Sequence, residues 1–245
     1  MEPDYYIKYY HFERSHWWFT VRARIITEII SSIIKPSPDC VVLNAGVATG
    51  ASSDWLKAFG SVVSLESDPG ACRFLREQLH MDIVEGSVTR LPFPDSHFDM
   101  VCAFDVLEHV DDDTLAINEM CRVLKSGGAL IVTVPAFRFL WSKHDLVNHH
   151  KRRYTQKAIS QKLNGSGLTI SYASYFNTLL FPPIALYRLF GKISRNKQNK
   201  SDFESTAGHR SLNRIFGSIF NLERKLLKHF RLPVGVSIIA VARKP

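Results

Sequence analysis

The run Val41-Val42-Leu43-Asn44-Ala45-Gly46-Val47-Ala48-Thr49-Gly50 takes a short apolar strand into a glycine-bearing turn and on towards a helix. Glycine at such a turn lets the backbone approach a ligand with no Cβ in the way. The helix that follows offers unpaired N–H groups at its N-terminus. Two glycines after a strand also serve as a plain tight turn, so this run alone is a weak signal. Glu66 strengthens it, because it ends the next apolar run, 20 residues after Gly46. An acid at that spacing can accept hydrogen bonds from both hydroxyls of an adenosine ribose. The bland alternative is a solvated carboxylate at a strand end.

Three further groups carry chemistry. Leu107-Glu108-His109 follows another apolar run. An imidazole there suits a general base, or simply caps or packs at a helix start. Glu108 and His109 alone are too few ligands for a metal centre, and none is assigned. The second group runs from His144 to Tyr154 and holds His144, His149, His150, Arg152 and Arg153. Its arginines can form bidentate bonds to phosphate or carboxylate, and its histidines can act as bases or ligands. A solvated basic loop is the alternative. The third is the apolar stretch Phe176 to Phe190, followed by Lys192, Arg195, Lys197 and Lys200. Apolar residues flanked by cations suit an anionic membrane surface. They suit equally a lid over the substrate, a dimer contact or a buried helix.

The elements that must position these groups alternate in type. Val21, Ile25, Ile26, Ile29, Ile30 and Ile33 have helical spacing, and Lys35-Pro36-Ser37-Pro38 stops that helix. Strands are expected at 40–44, 61–66, 82–85, 98–104 and 129–134. Helices are expected between them at 52–59, 70–79 and 113–124, the last ended by Ser126-Gly127-Gly128 as a glycine C-cap. Repeated β-α-β units predict a parallel sheet covered on both faces. Residues 136–155 read as a polar loop, 155–164 as a helix and 168–176 as a strand. Residues 177–232 read as a partly helical insertion with a flexible polar middle at 192–206, and 234–242 as a final strand.

Bulk properties set bounds. A chain of 245 residues, 45% hydrophobic, can bury one sizeable core. Cys40, Cys72, Cys102 and Cys121 form no CxxC pair, which suits reduced thiols in a cytoplasmic protein. No signal peptide is visible, and the apolar stretch near Leu179 to Leu186 is too short to span a bilayer. The net charge of +8 is uneven. Residues 1–135 carry 11 Lys+Arg against 19 Asp+Glu, and residues 136–245 carry 20 against 4. The second half is therefore suited to an anionic partner, or presents a solvated basic face.

The pattern resembles the class I S-adenosylmethionine-dependent methyltransferases, in the branch of ubiquinone-type and sugar-modifying small-molecule enzymes. The likeness is strong over residues 38–135. It rests on the glycine run, on Glu66, on Leu91 to Asp99, on Phe104 to Val110 and on Arg122 to Gly128. It implies an α/β Rossmann-like sheet of seven strands with the last one reversed. A helical cap would occupy 1–35 and the methyltransferase domain 36–245. It implies S-adenosylmethionine as cofactor, held by Asn44, Gly46, Ala48, Gly50, Glu66, Ser87, Val88 and Asp105. His109 would sit beside the reacting methyl group, with His150 and Tyr154 as further candidate catalytic residues. The His16-Trp17-Trp18-Phe19 and Arg22 pattern implies an N-terminal helix folded over the cleft.

The sequence departs from the family at three positions. Asn44 stands where an acid is usual, so a charged partner near the methionine end is lost. Ala48 replaces a glycine. Ser87 stands where an aspartate often binds the adenine amino group. The expected acceptor is a small, anionic molecule such as a saccharide or a lipid-linked or phosphorylated precursor. The alternatives are a degenerate binding protein and an RNA methyltransferase. The last ranks low, because no RNA-binding appendage is recognisable. Location is expected to be cytoplasmic, with 177–200 as a surface for peripheral membrane contact.

Overall fold

The computed structural model describes residues 3–193 and 210–245. Two helices, α1 (Pro3–Ser15) and α2 (Trp17–Ile33), precede the sheet. There follow β1 (Val41–Ala45), α3 (Ala51–Leu56), β2 (Ser61–Glu66), α4 (Pro69–Leu79), β3 (Val84–Glu85) and β4 (Phe98–Phe104). Then come α5 (Asp113–Val123), β5 (Leu124–Pro135), α6 (Lys143–Val147), α7 (Gln156–Gly165) and β6 (Thr169–Phe176). The chain ends in α8 (Phe181–Ile193), α9 (Arg210–His229) and β7 (Ser237–Arg243). Of the polar stretch expected to be flexible at 192–206, residues 192–193 end α8 and 194–206 lie outside the described residues.

The seven strands order as β3-β2-β1-β4-β5-β7-β6. The first five pair in parallel, while β7 runs antiparallel to both β5 and β6. This is the expected sheet with its reversed last strand. Strand alternation sends side chains to two apolar layers. Leu43, Val101, Ala103, Leu130 and Val132 face one layer, with Ile117 and Met120 of α5 and Ile159 of α7. Val42, Met100, Cys102 and Ile131 face the other.

The second layer is roofed by α2. Ile25, Ile26, Ile29 and Ile30 all lie buried against the sheet. Trp18, Phe176 and Phe220 form a cluster of near-parallel rings, with centroids 6.0, 5.3 and 6.2 Å apart pairwise. His16 caps α2 by accepting from the Trp18 amide at 3.3 Å. Across α2, Arg224 of α9 pairs with Glu28 at 3.1 Å.

Several boundaries differ from expectation: α3 ends at Leu56, α6 lies within the expected loop and β7 begins at Ser237. Ser126-Gly127-Gly128 does not cap α5; the helix ends at Val123, because Leu124 is already extended. The glycines lie inside β5. Gly127 takes a φ of +78° and donates to the Lys244 carbonyl at 2.8 Å. A Cβ on Gly128 would lie 2.8 Å from the Lys125 carbonyl oxygen. The close backbone approach is near the start of a central strand, not at a helix end.

Candidate functional site

A cleft of about 1560 Å³ opens at the carboxyl ends of β1, β2 and β4. This is where open α/β sheets place their ligands. Its walls include Gly46, Val47, Ala48 and Thr49 from the glycine turn, and Glu66 from β2. Ser87, Val88, Asp105, Glu108, His109 and His150 also line it.

The glycine turn is bent by three left-handed residues in five. Gly46, Ala48 and Gly50 have φ of +78°, +50° and +85°. A Cβ at Gly46 would meet Val106 Cγ2 at 2.6 Å, so glycine is required there. Ala48 holds the same backbone region with a side chain, at a cost of about 1 kcal/mol. Glu66 braces the turn. One carboxylate oxygen accepts from the Ala48 amide at 2.9 Å, and the other from Ser67 and Asp68 at 2.7 and 2.9 Å. Asp68 caps α4 and accepts from Tyr6 of α1 at 3.0 Å.

Opposite the turn, Asp105 follows β4 with a φ of +54°. It pairs with Arg22 of α2 at 2.8 Å and accepts from Thr133 at 3.0 Å. Glu108 is wholly buried, and neither carboxylate oxygen meets a hydrogen-bond partner among the described residues. Burial, and then the Asp105 charge, push its carboxyl well above the usual range. His109 stands beside it, held down at about 4 by burial and then by His150. The His109 and His150 rings meet edge to face at 4.8 Å. One ligand atom from each of Glu108, His109 and His150 falls within 4.8 Å of the others. The sequence offered two adjacent ligands; the loop adds the third. His150 is aimed by Asp145, whose Oδ1 lies 2.9 Å from Nδ1. Asp145 in turn accepts from Arg153 at 2.7 Å.

Three expected site residues lie elsewhere. Asn44 does not line the cleft. It shares its side of β1 with Val42, and its Nδ2 donates to Ser52 and Ser53 of α3 at 2.8 Å each. Gly50 starts α3 and packs against Leu75 and Met81, so it shapes the turn without facing the cleft. Tyr154 is not placed to catalyse. Its backbone bridges to Ala136, and its buried hydroxyl donates towards Asp113 at 2.8 Å. Burial and Asp113 push that phenol far up. Ser87 is an exposed turn residue whose hydroxyl lies 2.8 Å from Thr89 Oγ1.

The basic loop is tied internally. Arg153 binds Asp145 and the Ala136 carbonyl, Arg152 pairs with Asp113 at 3.1 Å, and Lys151 pairs with Asp111. Four wall residues from α1, Tyr6, Lys8, Tyr9 and Glu13, escaped the sequence altogether. The apolar residues of that helix follow no clear helical period. The far wall is apolar, with Trp17, Leu180, Pro183, Ile184, Tyr187 and Phe216.

Comparison with known proteins agrees with this architecture. A methyltransferase-domain family model matches residues 43–132. An uncharacterised protein of Methanocaldococcus jannaschii is 30% identical over 193 residues, covering 73% of this chain and 84% of that one. The ubiquinone/menaquinone biosynthesis C-methyltransferase UbiE of Laribacter hongkongensis is 43% identical over 63 residues, which is 26% of either chain. This chain therefore spans about a quarter of that enzyme. Among solved structures, a geranyl diphosphate methyltransferase in complex with SAM aligns with a TM-score of 0.59 at 12% identity. That alignment covers 91% of this chain and 85% of the other.

Proposed function

This chain belongs to the class I S-adenosylmethionine-dependent methyltransferases, and from that premise we propose that it methylates a small molecule held against Glu108, His109 and His150. The observation that carries this reading is one continuous cleft joining the Gly46–Glu66 turn to that cluster. S-adenosylmethionine held at the Gly46–Glu66 turn would supply an electrophilic methyl group for in-line transfer to the acceptor, with S-adenosylhomocysteine as the other product. His109, uncharged at neutral pH, takes the acceptor's proton. Positioning in the closed cleft supplies much of the rate.

In a second reading the same three side chains hold a divalent cation, and His109 is then a ligand and not the base. The orphaned oxygens of Glu108 are the supporting observation, since a buried carboxylate without a partner is costly. A cation there would polarise an acceptor oxygen.

For the acceptor we favour an amphipathic molecule such as a lipid-linked saccharide. The apolar far wall supports a long apolar portion. The internal pairing of Arg152 and Arg153 gives less support to a strongly anionic headgroup. Membrane contact would suit such an acceptor. Exposed Leu186, Tyr187 and Leu189 on α8 support it, within the expected 177–200 surface. Lipid-linked and free saccharides offered with S-adenosylmethionine test this, read by mass spectrometry. The lipid-linked forms should gain a methyl group; transfer to the free sugars alone would overturn the preference.

A further inference from the structure

The cofactor carries an ammonium at its methionine end, and the family acid that would offset it is absent here. Asn44 stands in that place and is sealed behind β1 against Ser52 and Ser53. A negative charge offsetting that ammonium would have to be supplied by another residue lining the cleft. Asp105 is poorly placed to supply it, because Arg22 already pairs with one of its oxygens at 2.8 Å and Thr133 donates to the other at 3.0 Å. Glu66 is engaged by three backbone amides across the turn.

Glu13 of α1 has the required position. It lines the cleft together with Gly46, Val47, Ala48 and Thr49, and with Arg22 and Asp105 across from them. One carboxylate oxygen accepts from the Thr49 hydroxyl, which fixes the side chain over the glycine turn. The Ala51 amide stabilises it further. It forms no ion pair at contact distance among the described residues. Arg14 and Arg22 stand near enough for their charges to favour its ionised form, but their contact pairs are with Asp54 and Asp105, each at 2.8 Å.

We propose that Glu13 is the ammonium-binding anion of the cofactor site, supplied by the N-terminal helix in place of the acid missing at position 44. The assignment rests on the cofactor reading above. It makes α1 part of the binding site and not merely a cover. Burial raises the Glu13 carboxyl, and a cation bound beside it would draw the group back to its ionised form.

The test is calorimetry on the full chain with two ligands. S-adenosylhomocysteine carries the ammonium; 5′-methylthioadenosine keeps the adenosine and lacks it. In E13Q, which preserves shape and the Thr49 contact, affinity for S-adenosylhomocysteine should fall about tenfold or more. Affinity for methylthioadenosine should change less than about twofold, and E13D should recover part of the loss. Unchanged S-adenosylhomocysteine binding in E13Q would overturn the proposal. So would an equal loss for both ligands, which would mark Glu13 as a brace for the turn. A wild-type chain that binds neither ligand would instead remove the cofactor reading on which the assignment stands.

Discussion

Arg22 of α2 and Asp105 beyond β4 meet at 2.8 Å, and Thr133 of β5 closes the triangle. Thr133 accepts from Arg22 at 2.7 Å and donates to Asp105 at 3.0 Å. One guanidinium thus ties the N-terminal helices to two strand ends at the mouth of the cleft. R22M keeps the apolar stem and removes the charge. It should lower stability by about 1–3 kcal/mol in urea unfolding, because Asp105 loses its ion-pair partner. It should also weaken S-adenosylhomocysteine binding. An unchanged midpoint together with unchanged binding would show that the triangle holds nothing in place.

Glu108 is the most demanding buried group in the cleft. E108Q is close in shape and carries no charge, so melting should hold or rise. Binding of Mn2+ in calorimetry should be abolished and methyl transfer should drop by about tenfold or more, if the cluster holds a cation or orients the acceptor. Wild-type Mn2+ affinity and turnover in E108Q would remove Glu108 from the chemistry.

Much of this architecture was legible in the sequence. β2 and β4 begin and end at the expected residues, because each is a short apolar run bracketed by polar or turn residues. Glu66 was legible because spacing from the glycine turn fixes its place at the neighbouring strand end. The misplacements have separate causes. Asn44 follows Val42 by two residues, so strand alternation turns it to the α3 side. Tyr154 is near the mouth in the chain, but its bridge to Ala136 turns the ring inward. A glycine pair after a helical pattern signals a C-cap and a turn near the start of a strand alike, which is why Gly127 and Gly128 misled. Glu13 left no trace, since only the tertiary packing of α1 brings it to Thr49.

His16 gives the fold a pH dependence of known sign. Burial holds the imidazole at about 4, against an ordinary 6.5. The unfolded chain therefore binds this proton first as pH falls. The contribution is complete above about 6.5 and is lost progressively down to about 4. Asparagine can cap α2 without titrating there, so H16N should show a shallower loss of stability than wild type over that window. Parallel melting-temperature curves for the two proteins would exclude the effect.

On α9, Leu212, Ile215, Leu222 and Leu226 are exposed along one helical stripe, with Phe230 just beyond it. Arg214 and Lys225 are exposed on the same helix, whose one acid, Glu223, is buried. This composition suits docking on anionic lipid. Wild-type protein should float with phosphatidylglycerol vesicles and be released by high salt, and L222D/L226D should stay in the pellet fraction. Equal flotation of the variant, or no flotation of wild type, would exclude this surface.

The Gly46–Glu66 turn is the expected seat of S-adenosylmethionine. Titration of S-adenosylhomocysteine into wild type and E66A, followed by calorimetry, tests it most directly. One site per chain is predicted, weakened about a hundredfold in E66A, where the ribose and the Ala48 amide both lose their acceptor. No heat from wild type at millimolar ligand, or equal affinity in the two proteins, would contradict it.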